Sequence, residues 1–333
     1  MALRRIAYGA ALGIALLCQI FDVGYLVHFI FVLVVLLPFL GLAVSLPAVL
    51  GCRTELAAQS PEVRRGEQCV WTLTVRSRFA LPLPCMSCRM RVVNEMTGVV
   101  WTFRLRAEGL VPGQTLRRPV ETVRCGRLIC RVDRLWVCDC LGLFSLPLRV
   151  PEKAAALVCP VPADPGPVTI PEGDGMSVPV PRGKSPSGED YELRPYHPGD
   201  NVRAIHWKIS AKRDELVVRE MLEQRLPLPV LTFDHFGPAE EMERTLDRLA
   251  GFSAALRGQG RAHEVRWAEP LSGTVRACEV ADRKSWLACL EAALSDRMPE
   301  EGRSILERPL SVPAGARLFH IHITGWEARH EET

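Results

Sequence analysis

The sequence has little net charge. Its 41 Lys and Arg stand against 38 Asp and Glu, leaving a formal charge of +3 over 333 residues. A strongly basic nucleic-acid binder is excluded at the outset, because phosphate binding needs a clear positive excess. With 24% charged and 48% apolar residues, a disordered chain is excluded too. No repeat with a period of roughly 20–50 residues is visible, so a solenoid or propeller array has no support. Acidic residues are nearly missing from the N-terminus, where Asp22 is the only one between Ile6 and Leu50.

What fills that stretch is apolar. Of its 45 residues 35 are apolar, whereas the rest of the chain is about 43% apolar, as in soluble proteins. Forty-five helical residues span roughly 68 Å, about twice a ~30 Å hydrocarbon core, so two passes use the length and one wastes half of it. The break falls at Phe21-Asp22-Val23-Gly24. The first pass is expected from about Leu3 to Phe21 and the second from about Tyr25 to Leu46, with a kink at Pro38 and an end near Pro47. Gly9 and Gly13 make a small-xxx-small pair that permits close helix approach, although glycine is also simply common in membrane helices. Arg4 and Arg5 before the hairpin, with Arg53, Arg64 and Arg65 after it, place both ends in the cytoplasm and the Asp22 turn outside. A cleaved signal peptide is the rival, but its apolar core of roughly 7–15 residues is much shorter than this stretch.

At roughly 100–200 residues per domain, the whole chain fits about two to three units. Residues 52–163 read as a β-sandwich-like domain. Val70–Val75 and Val99–Leu105 are rich in β-branched and aromatic residues, Leu128–Val132 and Leu135–Val137 alternate, and Gly98, Gly109, Gly113 and Gly126 punctuate them. Residues 164–187 read as a Pro/Gly-rich linker or loop. From 226 to 333 strands and helices alternate. Leu228–Phe233, Ala262–Trp267 and Leu318–Thr324 are the strands. Glu240–Gln259 buries Met242, Leu246, Leu249, Phe252 and Leu256, and a second helix from Asp282 to Ser295 buries Trp286, Leu287, Leu290 and Leu294. This order predicts a small, largely parallel α/β layer. The fold class is therefore α+β multidomain, with residues 1–51 as a two-helix membrane anchor.

Between the two domains, residues 188–225 hold a dense motif: Gly188-Glu-Asp, Arg194-Pro-Tyr196, Pro198-Gly199-Asp200, Arg203-Ala-Ile205-His-Trp207, Ser210-Ala-Lys-Arg213 and Leu216-Val-Val-Arg219. Pro198-Gly199 has the residues of a type II turn, and Asp200 stands where it caps a short helical turn through Val202 and Ile205. The stretch closely resembles the signature of the family called domain of unknown function 58, element by element and in order. Upstream, Arg124-Cys-Gly126-Arg127 and Asp139-Cys140-Leu-Gly-Leu-Phe144 extend the resemblance, with Cys140 standing where the family has proline. The resemblance implies a membrane-anchored protein with a β-rich domain and a C-terminal segment similar to a von Willebrand factor type A domain. It implies as partners a MoxR-type AAA+ ATPase and a transglutaminase-like membrane protein, with a possible link to envelope assembly or stress. It implies no reaction and no cofactor. Its signature residues, expected to serve docking or structure, are Arg194, Tyr196, Gly199, Asp200, Arg203, Trp207, Ser210 and Arg213.

Four chemical readings compete with that one. A von Willebrand type A domain holds Mg²⁺ on an Asp-x-Ser-x-Ser loop; here Asp234 is followed by Phe236 and Pro238, which carry no side-chain oxygen, so Asp234 is expected to be solvated or capping and no metal is expected there. Cys85-x-x-Cys88, Cys125, Cys130 and Cys138-x-Cys140 offer zinc ligands in principle, but not at the spacing of a regular ribbon, and reduced packing thiols are the expected reading. His206 and Ser210 near Asp200 invite a hydrolase reading, yet no strained nucleophile elbow surrounds Ser210. A salt-bridged cluster is expected instead, pairing Arg194, Arg203 and Arg213 with Glu189, Asp190 and Asp200 around Tyr196 and Trp207. Nucleic acid is not an expected partner, because Gly188–Glu220 holds six Lys/Arg against seven Asp/Glu. The lipid bilayer and a protein partner are expected, in a non-enzymatic interaction or scaffold role.

Overall fold

The computed structural model describes residues 2–21, 24–77, 83–110, 113–166, 178–181, 191–197, 200–225, 228–270, 272–310 and 316–329. The N-terminal pattern forms two helices, α1 (Ala2–Phe21) and α2 (Tyr25–Leu50). Both are long and apolar enough to cross a bilayer, and most of their side chains are uncovered by the rest of the protein. The Asp22-Val23 turn lies outside the described residues. The Tyr8 hydroxyl donates to the Val34 carbonyl at 3.1 Å and ties the pair together. Two expectations are corrected here. Gly9 and Gly13 have open space around them, so they do not carry the helix contact. Pro38 lies inside α2 and Pro47 in its last turn, close to where each is expected, but the helix runs on to Leu50 instead of ending near Leu46.

Residues 1–161 and 290–298 form one compact unit. Gly51 caps α2, its N–H donating to the Pro47 carbonyl at 2.9 Å, and β1 (Cys52–Ala58) starts at the next residue. After it come β2 (Glu62–Arg64), β3 (Gln68–Ser77), β4 (Leu83–Asn94), β5 (Val100–Leu110), β6 (Thr115–Glu121), β7 (Gly126–Cys138), β8 (Ser145–Pro147) and β9 (Ala154–Cys159). They build two sheets, β1-β3-β6 and β2-β9-β7-β4-β5, with β8 on β7. Alternation explains the packing: Cys69, Trp71, Leu73 and Val75 of β3 face Met86, Cys88, Met90 and Val92 of β4 and Leu128, Cys130 and Val132 of β7 in one core. The two short alternating runs in residues 128–137 are one thirteen-residue strand. Its start depends on Gly126, at φ +141°, where a Cβ would stand 2.2 Å from Asn94 Oδ1. Asn94 is fully buried, donates to the Cys125 carbonyl at 3.0 Å and accepts from Thr97 N–H at 3.1 Å.

Residues 162–289 and 299–333 form the second unit. Within the expected linker, β10 (Val178–Pro181) pairs antiparallel with β12 (Val217–Arg225), which also pairs with β11 (Tyr191–Pro195). The rest of the linker, residues 167–177 and 182–187, lies outside the described residues. Beyond a short helix α3 (Trp207–Arg213), the chain forms β13 (Val230–Phe233), α4 (Ala239–Gly258), β14 (His263–Ala268), β15 (Val275–Val280), α5 (Arg283–Leu294), β16 (Leu318–His322) and β17 (Gly325–Arg329). The sheet order is β15-β14-β13-β16-β17. Its middle strands are parallel, as the alternation of strand and helix predicts, while β15 and β17 are antiparallel edges that the sequence reading does not contain. The expected stripe of α4, from Met242 to Leu256, is buried. Asp282 caps α5, its carboxylate accepting from Ser285 N–H at 2.7 Å; Trp286, Leu290 and Leu294 are buried and Leu287 is half-buried.

Candidate functional site

The signature residues close a strand pair. Arg194 lies opposite Val218 and Pro195 opposite Val217, so residues 196–216 are the arm that joins β11 to β12. The arm is pinned at its base by backbone bonds from Tyr196 N–H to the Leu216 carbonyl and from His206 N–H to the Val217 carbonyl, both at 2.8 Å. Ile205 bridges Val218. α3 ends on Asp214, whose φ of 57° turns the chain back toward β12.

Two polar devices hold the arm in shape. Arg194 grips Asp200 with both guanidinium nitrogens, at 2.7 and 2.8 Å, and Asp200 accepts a third bond from the His197 N–H at 2.8 Å. The Arg194 guanidinium and the His197 amide together hold the Asp200 carboxyl down at about 2. Ser210 is buried; its hydroxyl donates to the His206 carbonyl at 3.1 Å and accepts from Val217 N–H at 2.9 Å, fastening α3 to β12. The Ser210 hydroxyl is thus engaged with backbone on both sides, and Asp200 with Arg194 and His197. These bonds give both residues positions in the scaffold.

The expected cluster is smaller than the sequence suggests. Of the three arginines named, Arg194 has its partner, whereas Arg203 and Arg213 are exposed and form no ion pair among the described residues. Glu189, Asp190 and Gly199, with the Pro198-Gly199 turn, lie outside those residues. Asp200 does not cap the short 3-10 turn at Val202–Ala204. Asn201 does, accepting from Arg203 N–H at 3.1 Å, because the Asp200 carboxylate is taken by Arg194. Trp207 is not packing. It is 63% exposed, since α3 spans two turns and rests on β12 through Ser210, leaving Trp207, Lys208, Ala211 and Lys212 outward. Tyr196 is half-buried.

The arm leaves several side chains outward. Val202, 59% exposed, and Leu216, 45% exposed, are uncovered as Trp207 is, and so are Arg203, Lys208, Lys212 and Arg213 and the acids Asp214 and Glu215. Leu216 is exposed, and burial begins at Val217. Sequence patterning does not flag Val202 and Leu216, because isolated aliphatic residues beside charges look like ordinary core positions.

Elsewhere, Asp234 ends β13 and serves as a cap. Its carboxylate accepts from Ser304 Oγ at 3.0 Å and from Ile305 N–H at 2.8 Å, while Phe236 packs against Gly302. Among the described residues no group of three His, Cys, Asp or Glu is arranged to hold a metal ion. The twelve cysteines are free thiols. Cys69, Cys88 and Cys130 sit in the sandwich core, where burial pushes the thiols up to about 11, 12 and 12, and they pack as small apolar groups.

The motif at residues 139–144 has a position of its own. Asp139 is buried and its carboxylate accepts from Phe144 N–H at 2.8 Å; its carbonyl accepts from Gly142 N–H at 3.0 Å, closing the turn at Gly142, φ +72°. The turn lies against the hairpin. Arg5 Nε donates to the Leu143 carbonyl at 2.8 Å, Cys140 N–H donates to Ser45 Oγ at 2.9 Å, and a Cβ on Gly41 would stand 2.7 Å from Leu141 Cδ1.

No curated protein matches the chain. Among solved structures it is similar to a cohesin module of a Clostridium perfringens family 33 glycoside hydrolase, at TM-score 0.25 and 11% identity over 32% of this chain and 96% of that one. It is similar to a Pseudomonas fluorescens alkylpurine DNA glycosylase bound to DNA containing an abasic site analog, at TM-score 0.23 and 13% identity over 43% and 41%. It is also similar to a CARDB domain of a Pyrococcus furiosus protein in complex with di-metal ions, at TM-score 0.20 and 14% identity over 32% and 86%. Residues 192–244, from the grip of Arg194 on Asp200 through β13 and into α4, match the model of the family described as protein of unknown function DUF58.

Proposed function

We propose that the chain is a membrane-anchored, non-enzymatic interaction protein that docks a partner through the arm between β11 and β12. In this reading α1 and α2 cross the bilayer as a hairpin, both ends are cytoplasmic, and the two folded units stand on the cytoplasmic side. The β15-β14-β13-β16-β17 sheet is read as a reduced von Willebrand type A-like domain without its metal loop. A MoxR-type AAA+ ATPase is the proposed partner, with a transglutaminase-like membrane protein in the same assembly and a place in envelope assembly or stress.

The observation that carries the docking reading is Trp207. A tryptophan left 63% exposed, on an arm held rigid by the Arg194–Asp200 pair and by Ser210, is the kind of anchor that protein interfaces bury. The arm's exposed charges, Arg203, Lys208, Lys212 and Arg213 with Asp214 and Glu215, suit a partner surface with a polar rim of both signs. The test is co-purification from native membranes with wild-type protein and with Trp207→Ala. An AAA+ ATPase captured by the first and lost from the second, at unchanged thermal midpoint, is the expected result. Turnover by the purified protein that Trp207→Ala abolishes, with assembly intact, would overturn the reading in favour of an enzyme.

A further inference from the structure

The hairpin is not joined to the first unit by its covalent link alone. The turn Cys140–Phe144 is bonded to α1 through Arg5 and to α2 through Ser45, and Leu141 fills the space left by Gly41. Arg5 sits at the start of α1, and Gly41 and Ser45 sit in the second half of α2, toward its C-terminal end, so all three contacts fall at one end of the hairpin. The side chains next to this turn are unusual for a water-facing β-hairpin. Phe144 is 40% exposed, and Trp136, which lies opposite Pro147, is 39% exposed; Val150 is 42% exposed. Arg4, whose guanidinium lies beside Gly142, and Arg149 are exposed in the same region, and the Arg149 carbonyl accepts from Thr54 Oγ1 at the start of β1. Aromatic rings interleaved with arginines at the end of a membrane helix are what the headgroup layer of a bilayer favours.

We propose that the β7–β8 turn is a lipid-binding surface: Phe144 and Trp136 lie in the interfacial layer of the bilayer, with Arg4 and Arg149 against headgroup phosphates. The proposal rests on the reading of α1 and α2 as membrane-spanning. It also assigns the sandwich a direction. The opposite end of β7, where Asn94 pairs with Leu128 and Val99 is exposed, stands about 40 Å from the turn, the length of a thirteen-residue strand. The proposal takes β7 to stand away from the bilayer, with that end clear of the lipid.

The full-length chain, reconstituted in nanodiscs of phosphatidylcholine with phosphatidylglycerol, tests this with a photoreactive benzophenone side chain at one position at a time. Lipid adducts are expected at Phe144 and at Val32 in α2, and at Val99 at least tenfold fewer. Adducts at Val32 without adducts at Phe144, or equal yields at Phe144 and Val99, would overturn the proposal while leaving the spanning helices intact. No adduct at Val32 would overturn the membrane reading and the proposal with it. Gly41→Leu supplies a second variant. By displacing Leu141 it is expected to lower the Phe144 yield severalfold and leave Val32 unchanged; an unchanged Phe144 yield would sink the idea that the turn is seated by α2.

Discussion

Arg194 and Asp200 face each other as a two-bonded pair at the mouth of the β11–β12 connection, with nitrogen–oxygen distances of 2.7 and 2.8 Å. The contact joins the end of strand β11 to the start of the arm. It explains how a 21-residue connection without a core of its own presents a defined surface.

That pair has a pH signature. The Asp200 carboxyl is held at about 2, below its usual 3.8, by Arg194 first and the His197 amide second. A depressed carboxyl contributes stability that is complete above about 4 and is lost as pH falls through about 2. In Arg194→Ala the Asp200 carboxyl is expected to rise toward 3.8 and stop short of it, because the His197 amide still donates to it, as read from its carboxyl carbon shift by NMR. Arg194→Lys is expected to restore part of the depression, because an ammonium offers no two-bonded fork.

The two tryptophans Trp207 and Trp71 are expected to behave oppositely. Trp207→Ala leaves a surface position and should change unfolding free energy by no more than about 0.5 kcal/mol. Trp71 is fully buried in the sandwich, and Trp71→Ala should cost about 3–5 kcal/mol. Denaturant unfolding of each variant measures both.

Acid should weaken the second unit well above the carboxylate range. His235 and His263 are buried, and burial pulls both down to about 4 from 6.5. Neither His235 ring nitrogen has a partner among the described residues, and His263 Nε2 is 2.9 Å from Ser253 Oγ. The unfolded chain takes up protons that the folded chain refuses, so stability falls as pH drops from about 6.5 to about 4 and is unaffected above 7. The loss approaches about 3 kcal/mol per histidine at the acid end. His235→Phe should remove its share of that slope in unfolding curves taken across the interval.

Gly126 and Gly98 make a controlled comparison. Both have positive φ, so Ala at either is strained, by about 1–2 kcal/mol. At Gly98 the nearest atom is 3.4 Å away on the flexible Arg297 side chain, and the strain is the whole cost. At Gly126 the new Cβ collides with Asn94 and breaks its two buried bonds, so Gly126→Ala should cost about 3 kcal/mol or more. Thermal midpoints of the two variants separate the effects.

Cys140 supplies the last prediction. A proline there has no N–H and removes the bond to Ser45 Oγ, so Cys140→Pro should loosen the turn from α2 by about 1 kcal/mol. Ser45→Ala should cost a similar amount. The double variant should cost little more than either, which a double-mutant cycle in detergent or nanodiscs reads directly.

Much of this architecture is legible in the chain. The bounds of α1, the stripe of α4 and the Asp282 cap follow from apolar spacing and capping chemistry, because each is local. The antiparallel edges β15 and β17 are not legible: Val275–Val280 shows weak alternation, and each strand folds back on the one before it across a short connection without a run of β-forming residues to mark it. At the signature, residue types announce a charged cluster, but which arginine finds an acid depends on the fold. Arg194 meets Asp200 because strand pairing brings the arm back on itself, while Arg203 and Arg213 sit where the short helix turns outward. Trp207 misleads for the same reason: an aromatic in a dense motif reads as packing until the helix carrying it proves two turns long.

Between Leu50 and Cys52 there is one residue, and it is already bonded back into the helix. The helix α2 and the sandwich are therefore joined without a hinge. A tilt of α2 is delivered to β1 and its partner β3 as a rotation of the whole sandwich, with the turn at Cys140–Phe144 acting as the second foot. Under the proposed reading of the hairpin as membrane-spanning, the posture of the first unit becomes a mechanical function of how the hairpin stands.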